Sequence, residues 1–173
     1  MSLVLVLGGT RSGKSIFAEA LATEATSERV LYVATAMNAG NDAVLDRRVR
    51  DHRERRPAEW GTLELGGGEL GLILEEADSW DVILFDSLTM WAAARMSGEE
   101  RDLIVGEFED FASRVESGPG NFILVSDEVG LGVVPESAEG REFRDLLGFL
   151  NQRAASVASE VYLCVAGIPM RLK

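Results

Sequence analysis

Short, strongly apolar runs alternate along the chain with longer segments in which apolar residues recur every three or four positions. The short runs predict strands at residues 3–7, 30–35, 62–65, 82–85, 121–126 and 161–166. The longer segments predict helices at residues 14–27, 42–55, 70–77, 88–96, 99–116 and 138–158. Continuous apolar strands that alternate with helices are buried on both faces. The pattern therefore predicts an α/β fold, a mostly parallel sheet with helices on both faces.

Length and charge narrow the class of protein. The chain has 173 residues, 46% of them hydrophobic, which is enough for one core, and it shows no internal repeat or linker. We therefore expect a single domain over residues 1–173. The net charge of −12 argues against a nucleic acid partner, because binders of duplexes need surplus lysine and arginine. A small anionic ligand held by a local basic site remains compatible with this charge.

The ends of the chain and its single cysteine bear on its location. Cys164 lies in an apolar run, where burial as a small hydrophobic side chain is favoured over redox work. With no second cysteine a disulfide framework is excluded, as suits a reducing compartment. The apolar start of the chain is interrupted by glycines and lacks a basic flank, so it predicts neither a secretion signal nor a membrane span. We expect a cytoplasmic protein.

A phosphate-binding signature follows the first predicted strand directly. It consists of Gly8, Gly9, Thr10, Arg11, Ser12, Gly13, Lys14 and Ser15. The glycines allow a tight turn in which backbone N–H groups and the next helix N-terminus point at one anion. Lys14 would reach the β and γ phosphates of a nucleoside triphosphate, and the Ser15 hydroxyl would ligate Mg²⁺. The signature predicts a P-loop nucleotide site, and the alternative is a glycine-rich turn without a ligand.

An acid stands at the end of the buried run at residues 82–85. Open α/β sheets bind ligands at the carboxyl ends of their strands, which makes Asp86 a candidate to hold Mg²⁺ beside Ser15. The alternative is that Asp86 merely caps the helix that begins near Leu88.

Residues 47–56 hold six arginines around the only histidine, His52. On a helix, Arg48, Arg55 and Arg56 would share a face with that histidine. Such cations disfavour the imidazolium form and keep the ring neutral, as a nucleophile must be. They could also hold the phosphates of a nucleotide. The alternative is an exposed, solvated helix face, and composition alone leaves both interpretations open.

Two further features are weaker signals. Residues 126–135 follow a strand and contain two glycines and an acid, so a functional loop is favoured over a plain turn. Trp60 and Trp91 could contact a planar ligand, but core packing is favoured for both.

Taken in order, these motifs resemble the bifunctional adenosylcobinamide kinase and adenosylcobinamide-phosphate guanylyltransferase family of cobalamin biosynthesis. The resemblance spans nearly the whole chain and is carried by residues 8–15, 32–36, 48–57, Trp60, Thr62, Glu64, 86–91, 128–135, 143–145, Gly148, 151–153 and 167–173. It implies a RecA-like P-loop fold, a homo-oligomer that is a trimer, and two successive reactions on one substrate.

In the kinase reaction that the resemblance implies, a γ-phosphate passes from a nucleotide to the hydroxyl of the aminopropanol arm of adenosylcobinamide. Lys14, Ser15, Asp86 and Mg²⁺ would serve this step, with the choice between ATP and GTP as donor left open. In the second reaction, the histidine that corresponds to His52 attacks the α-phosphate of GTP, expels pyrophosphate and carries GMP to adenosylcobinamide phosphate.

The same resemblance implies a set of contacts to the guanine nucleotide. The residues expected to make them are Ala34, Thr35, Ala36, Arg53, Glu54, Arg55, Arg56 and Glu64. The chain departs from the family pattern at Asp127, where asparagine is common. This departure adds a negative charge near a phosphate site and predicts weaker binding or altered metal use.

Two other functions share part of these motifs. A RecA-like nucleotide-dependent regulator or ATPase would use the P-loop and Asp86 but act on a protein or nucleic acid. A P-loop kinase for another alcohol would keep the first reaction and leave His52 a structural residue.

Overall fold

The six predicted strands and one further strand form a single seven-stranded sheet in the computed structural model, which describes residues 2–25, 29–36, 47, 50 and 53–173. The strands are β1 (Ser2–Gly8), β2 (Val30–Ala34), β3 (Gly61–Glu64), β4 (Val82–Asp86), β5 (Asn121–Asp127), β6 (Glu160–Val165) and β7 (Ile168–Arg171). Their order across the sheet is β3-β2-β4-β5-β1-β6-β7. All neighbouring pairs are parallel except β6 and β7.

The described helices agree with the predicted ones to within a few residues. They are α1 (Lys14–Ala25), α2 (Gly71–Glu75), α3 (Leu88–Met96), α4 (Arg101–Ser117) and α5 (Ala138–Val157). Residues 47, 50 and 53–55 are also helical, as expected for the arginine-rich segment. Serine side chains begin two of the helices: Ser87 Oγ accepts from Met90 N, and Ser137 Oγ accepts from Gly140 N.

Strand β7 was not predicted from the pattern. Ala166 and Gly167, with φ of 50° and 83°, form a two-residue turn of the kind that closes a tight hairpin between β6 and β7. Pro169 is tolerated because β7 is the last strand in the sheet and needs no partner on its outer side.

The alternation of side chains along the strands builds a core on each face of the sheet. In β4, Ile83 and Phe85 pack with the larger cluster, which includes α3, α4 and α5. Val82 and Leu84 point the other way and join the smaller cluster around α1. The predicted parallel sheet with helices on both faces is confirmed. Among the described residues, the helices are all too short or too polar to cross a membrane.

The carboxyl ends of the parallel strands bring several of the candidate residues to one edge of the sheet. Ala34 is in register with Glu64 on one neighbour and with Asp86 on the other. Gly8, the last residue of β1, is in register with Asp127 on β5. Because β5 lies between β1 and β4, the acid at the end of β5 is the one nearest the glycine-rich loop.

Candidate functional site

The residues that follow β1 form the predicted strand–loop–helix arrangement. Ser12 N donates to Gly9 O at 3.2 Å, and Phe17 N donates to Gly13 O at 3.0 Å as the first turn of α1 closes. The loop uses left-handed backbone at Arg11, with φ of 59°, and at Gly13, with φ of 92°. This local geometry is the one that aims successive N–H groups at an anion.

The turn of the β6–β7 hairpin packs against this loop and is hydrogen-bonded to it. Gly167 N donates to Ser12 O at 2.8 Å. A Cβ on Gly13 would lie 3.0 Å from the Cα of Gly167, on a backbone that side chains rarely adopt. Two separate physical reasons thus require glycine at residue 13.

We expect Gly13→Ala to lower the free energy of unfolding by about 1–3 kcal/mol, because it combines unfavourable φ with a backbone contact. Gly9→Ala is the matched control in the same loop, since a Cβ there meets no atom within 4 Å. Urea unfolding without nucleotide measures both variants. Equal loss in the two would contradict the role assigned to the Gly13 backbone.

Lys14, the first residue of α1, is folded back onto the loop. Its Nζ donates to Gly9 O at 3.2 Å and forms an ion pair with Asp127 Oδ1 at 2.5 Å. The side chains of Lys14 and Asp127 are only 12% and 22% exposed, respectively. The Lys14 ammonium group thus lies in the predicted phosphate cradle, which residues 8–15 form. It is already paired with Asp127, the last residue of the neighbouring strand β5.

Asp127 is held in place through its backbone. Its N–H donates to Thr89 Oγ1 at 2.7 Å, and its carbonyl accepts from Asn151 Nδ2 at 3.1 Å. The next residue, Glu128, donates its N–H to Gly8 O at 3.1 Å. Sequence reasoning did not predict Thr89 or Asn151 as site residues. The available signal was that each is a polar residue on the apolar face of a helix.

Asp86, the last residue of β4, accepts a hydrogen bond at Oδ2 from the Tyr32 hydroxyl at 2.8 Å. Burial, and then the negative charge of Asp86, raise the pKa of Tyr32 well above its ordinary value. The hydroxyl therefore stays protonated and remains a donor. The alternative role of Asp86 as the cap of α3 is wrong, because Ser87 occupies that position.

The donors predicted for Mg²⁺ are chemically suitable. The Ser15 hydroxyl and the Asp86 carboxylate are oxygen ligands, which this cation prefers, and both residues are half-buried. Within the described ranges there is no group of three or more histidine, cysteine, aspartate or glutamate side chains that could hold a metal ion. These residues fit a cation that takes its remaining ligands from phosphate and water, as Mg²⁺ bound to a nucleotide does.

The described end of the arginine-rich segment is attached to three different elements. Arg53 pairs with Glu64 of β3 at 2.5 Å, and Arg55 pairs with Glu19 of α1 at 3.3 Å. The guanidinium carbon of Arg56 lies 3.3 Å from the centre of the Tyr32 ring. Residues 53–56 are thus fixed near the carboxyl edge of the sheet, and Arg56 and Asp86 contact the same tyrosine.

His52 and Arg48 lie outside the described residues, so the predicted nucleophile remains a prediction. Glu54 is exposed, and Ala34 and Ala36 are half-buried at the sheet edge. The hydroxyl of Thr35 is bound to the Ser87 backbone, because it donates to Ser87 O at 2.9 Å and accepts from Ser87 N at 2.7 Å.

Trp60 and Trp91 are buried in the core, and Cys164 is buried beside the P-loop, where burial raises the pKa of its thiol. In the predicted functional loop at residues 126–135, Leu131 and Val133 are 83% and 95% exposed. Core packing is confirmed for the tryptophans and burial for the cysteine. The loop presents apolar side chains to its surroundings.

Comparison with known proteins identifies close relatives. The family described as cobinamide kinase / cobinamide phosphate guanyltransferase matches residues 4–172. The bifunctional adenosylcobalamin biosynthesis protein CobP of Pseudomonas aeruginosa is 41% identical over 169 residues, covering 98% of this chain and 96% of the relative. The CobU proteins of Escherichia coli and Salmonella typhimurium are 34% and 35% identical, and each alignment covers 99% of both chains.

A solved structure bears on the fold alone. The ATPase EscN of the enteropathogenic E. coli type III secretion system superposes with a TM-score of 0.62 at 12% identity. The match covers 95% of this chain but only 43% of the EscN chain. It confirms the predicted RecA-like P-loop fold. By the family match and by its full-length relatives, the chain belongs to the cobinamide kinase / cobinamide phosphate guanyltransferase family.

Proposed function

We propose that this chain phosphorylates adenosylcobinamide and then transfers GMP from GTP to adenosylcobinamide phosphate through a guanylyl-His52 intermediate, giving adenosylcobinamide-GDP. The observation that carries the proposal is that the Lys14 cradle, Asp86 and the arginines after His52 meet at one edge of the sheet. Family membership supplies the pair of activities, and this edge supplies residues for each of them.

In the kinase step the P-loop N–H groups hold the triphosphate, and Lys14 exchanges Asp127 for the phosphate oxygens. The oxygen of the substrate hydroxyl forms a bond to the γ-phosphorus and its proton passes to solvent. The bond from that phosphorus to the bridging oxygen breaks, which releases a nucleoside diphosphate. Mg²⁺, when bound by Ser15, Asp86 and the nucleotide, would offset phosphate charge. The donor is ATP or GTP.

In the guanylyl step an imidazole nitrogen of His52 bonds to the α-phosphorus of GTP and pyrophosphate leaves. A phosphate oxygen of adenosylcobinamide phosphate then attacks the same phosphorus, the P–N bond breaks and the histidine is regenerated. Arg53 and Arg55 are paired with acids at exposed or half-buried positions, so they can exchange those partners for nucleotide phosphates.

A labelling experiment tests the covalent intermediate. Incubation with Mg²⁺ and GTP labelled at the α-phosphate should give a protein adduct that acid releases and alkali does not. Because His52 is the only histidine, His52→Ala should remove a histidine adduct completely. The matched control is Arg47→Ala, an exposed residue of the same segment. Equal labelling of the parent and His52→Ala would rule out the intermediate.

We further propose that the protein is a cytoplasmic homo-oligomer, specifically a trimer. It acts on nucleotides and corrinoids and not on nucleic acid. Exposed apolar side chains at Leu131, Val133 and Ile168 support burial against another subunit. Light scattering of the purified protein distinguishes a trimer from a monomer.

We expect the hydrogen bond from Tyr32 to orient the Asp86 carboxylate toward Mg²⁺. We expect Tyr32→Phe to lower the free energy of unfolding by about 1.5–3 kcal/mol, because it removes a hydrogen bond to a charged group. It should also change the Mg²⁺ concentration that gives half-maximal kinase activity, since the carboxylate loses the donor that orients it. Phe17→Leu, at a partly buried position that packs against the core around α1, is a control for packing alone. An unchanged Mg²⁺ requirement in Tyr32→Phe would contradict this role.

A further inference from the structure

Asp127, the acid that pairs with Lys14, has a backbone that hydrogen bonds hold in place, whereas the Lys14 side chain is free to turn. Asp127 ends a central strand, and its backbone N–H and carbonyl are held by Thr89 and Asn151. Its carboxylate therefore cannot move far from the loop. Lys14 has a long flexible side chain that also contacts the Gly9 carbonyl. When a ligand enters the cradle, the ammonium group can turn to it while the carboxylate stays.

The position of this carboxylate places it close to the phosphates. Its Oδ1 lies 2.5 Å from Lys14 Nζ, the group that reaches the β and γ phosphates in a P-loop site. The pair is largely shielded from water, so charge interactions there are stronger than on an open surface. The neighbouring Cys164 thiol adds no negative charge to this site, because burial raises its pKa and favours the neutral thiol.

We propose that Asp127 is a specificity-determining residue that makes the P-loop select a metal-bound triphosphate over a metal-free one. A metal-free triphosphate brings its full negative charge against a fixed carboxylate and must also take Lys14 from it. A divalent cation on the phosphates cancels two of those charges, and a carboxylate at this position can accept hydrogen bonds from water on the cation. Asp127 therefore disfavours binding of the metal-free triphosphate and is compatible with binding of the metal-bound one.

This inference rests on the proposed function only in requiring that the triphosphate occupy the loop. The test measures the affinity of guanosine 5′-(α,β-methylene)triphosphate, which cannot pass GMP to His52, by calorimetry, once with EDTA and once with Mg²⁺, for the parent and Asp127→Asn. Asparagine keeps the size of the side chain and removes its charge. In Asp127→Asn we expect the ratio of the affinity with Mg²⁺ to the affinity with EDTA to fall by about tenfold or more, chiefly because metal-free binding tightens.

Controls separate this charge from other effects. Asp145→Asn removes the same net charge from an exposed site on α5 and should leave the ratio unchanged. If Asp127→Asn proves unstable in urea unfolding, Asp127→Ser serves as the second uncharged variant. A parental ratio, or equal changes with and without Mg²⁺, would overturn the inference.

Lys14→Ala distinguishes failure of the inference from failure of the proposed site. If this variant keeps parental affinity in both conditions, the triphosphate does not bind at the loop and the proposed function itself fails. If it loses affinity while Asp127→Asn leaves the ratio unchanged, only the role of Asp127 is refuted.

Discussion

Lys14→Ala should reduce the catalytic efficiency of the kinase step by about 10³-fold, chiefly through lost nucleotide affinity. The substitution removes the cation that meets the triphosphate. It also leaves Asp127, only 22% exposed, facing the cradle without its partner. A missing attraction is thus added to an unopposed repulsion. Transfer of labelled γ-phosphate to adenosylcobinamide, measured over a range of nucleotide concentrations, gives the change in kcat/KM.

The double variant Lys14→Ala with Asp127→Asn separates these two contributions. We expect it to recover part of the lost affinity, because the unpaired carboxylate is then absent. Failure to recover would show that Asp127 does not oppose the ligand. A parental rate in Lys14→Ala would contradict the assignment of the loop as the phosphate site.

Most of the fold followed from apolar patterning because parallel strands covered on both faces are apolar at nearly every position. β4 shows this at its clearest, with residues 82–85 all buried. The exception was β7, whose residues are exposed and include Pro169, so neither burial nor propensity marked it. Its signal was the glycine in the two-residue turn before it, which has positive φ.

The candidate site also has one part that the sequence predicts and another part that depends on the folded sheet. The P-loop is a local motif whose residues contact one another within a single turn, so its geometry follows from spacing. The pairing of Lys14 with Asp127 depends on strand order, because β5 must lie beside β1 for the two to meet. No pattern along the chain encodes that order. The sequence identifies Asp127 only as an extra charge near a phosphate site.

The arginine-rich segment shows a second limit. Helical spacing predicted which arginines share a face with His52, and residues 53–55 are helical. It did not predict that Arg53, Arg55 and Arg56 would bind three different partners. Those partners belong to α1, β2 and β3, which only the folded chain brings together. The position of His52 relative to the nucleotide stays a prediction.

His52→Asn should separate the two activities. We expect guanylyl transfer to fall by about 10⁴-fold or more, because the nucleophile is lost and the chain has no second histidine to replace it. The kinase step should keep its parental rate, since Lys14 and the P-loop are intact. Parallel assays with nucleotide labelled at the α- or γ-phosphate measure the two reactions on the same preparation.

Chemical rescue distinguishes a nucleophile from a structural residue at this position. In His52→Gly, free imidazole can enter the space, take GMP from GTP and pass it to adenosylcobinamide phosphate, so guanylyl transfer should rise with imidazole concentration. A histidine that only held the arginine segment in place would not be replaced in this way, and its loss would impair nucleotide affinity without imidazole-dependent recovery. Equal loss of both activities in His52→Asn, with no rescue of His52→Gly, would assign the residue to structure and leave the guanylyl step without its proposed intermediate.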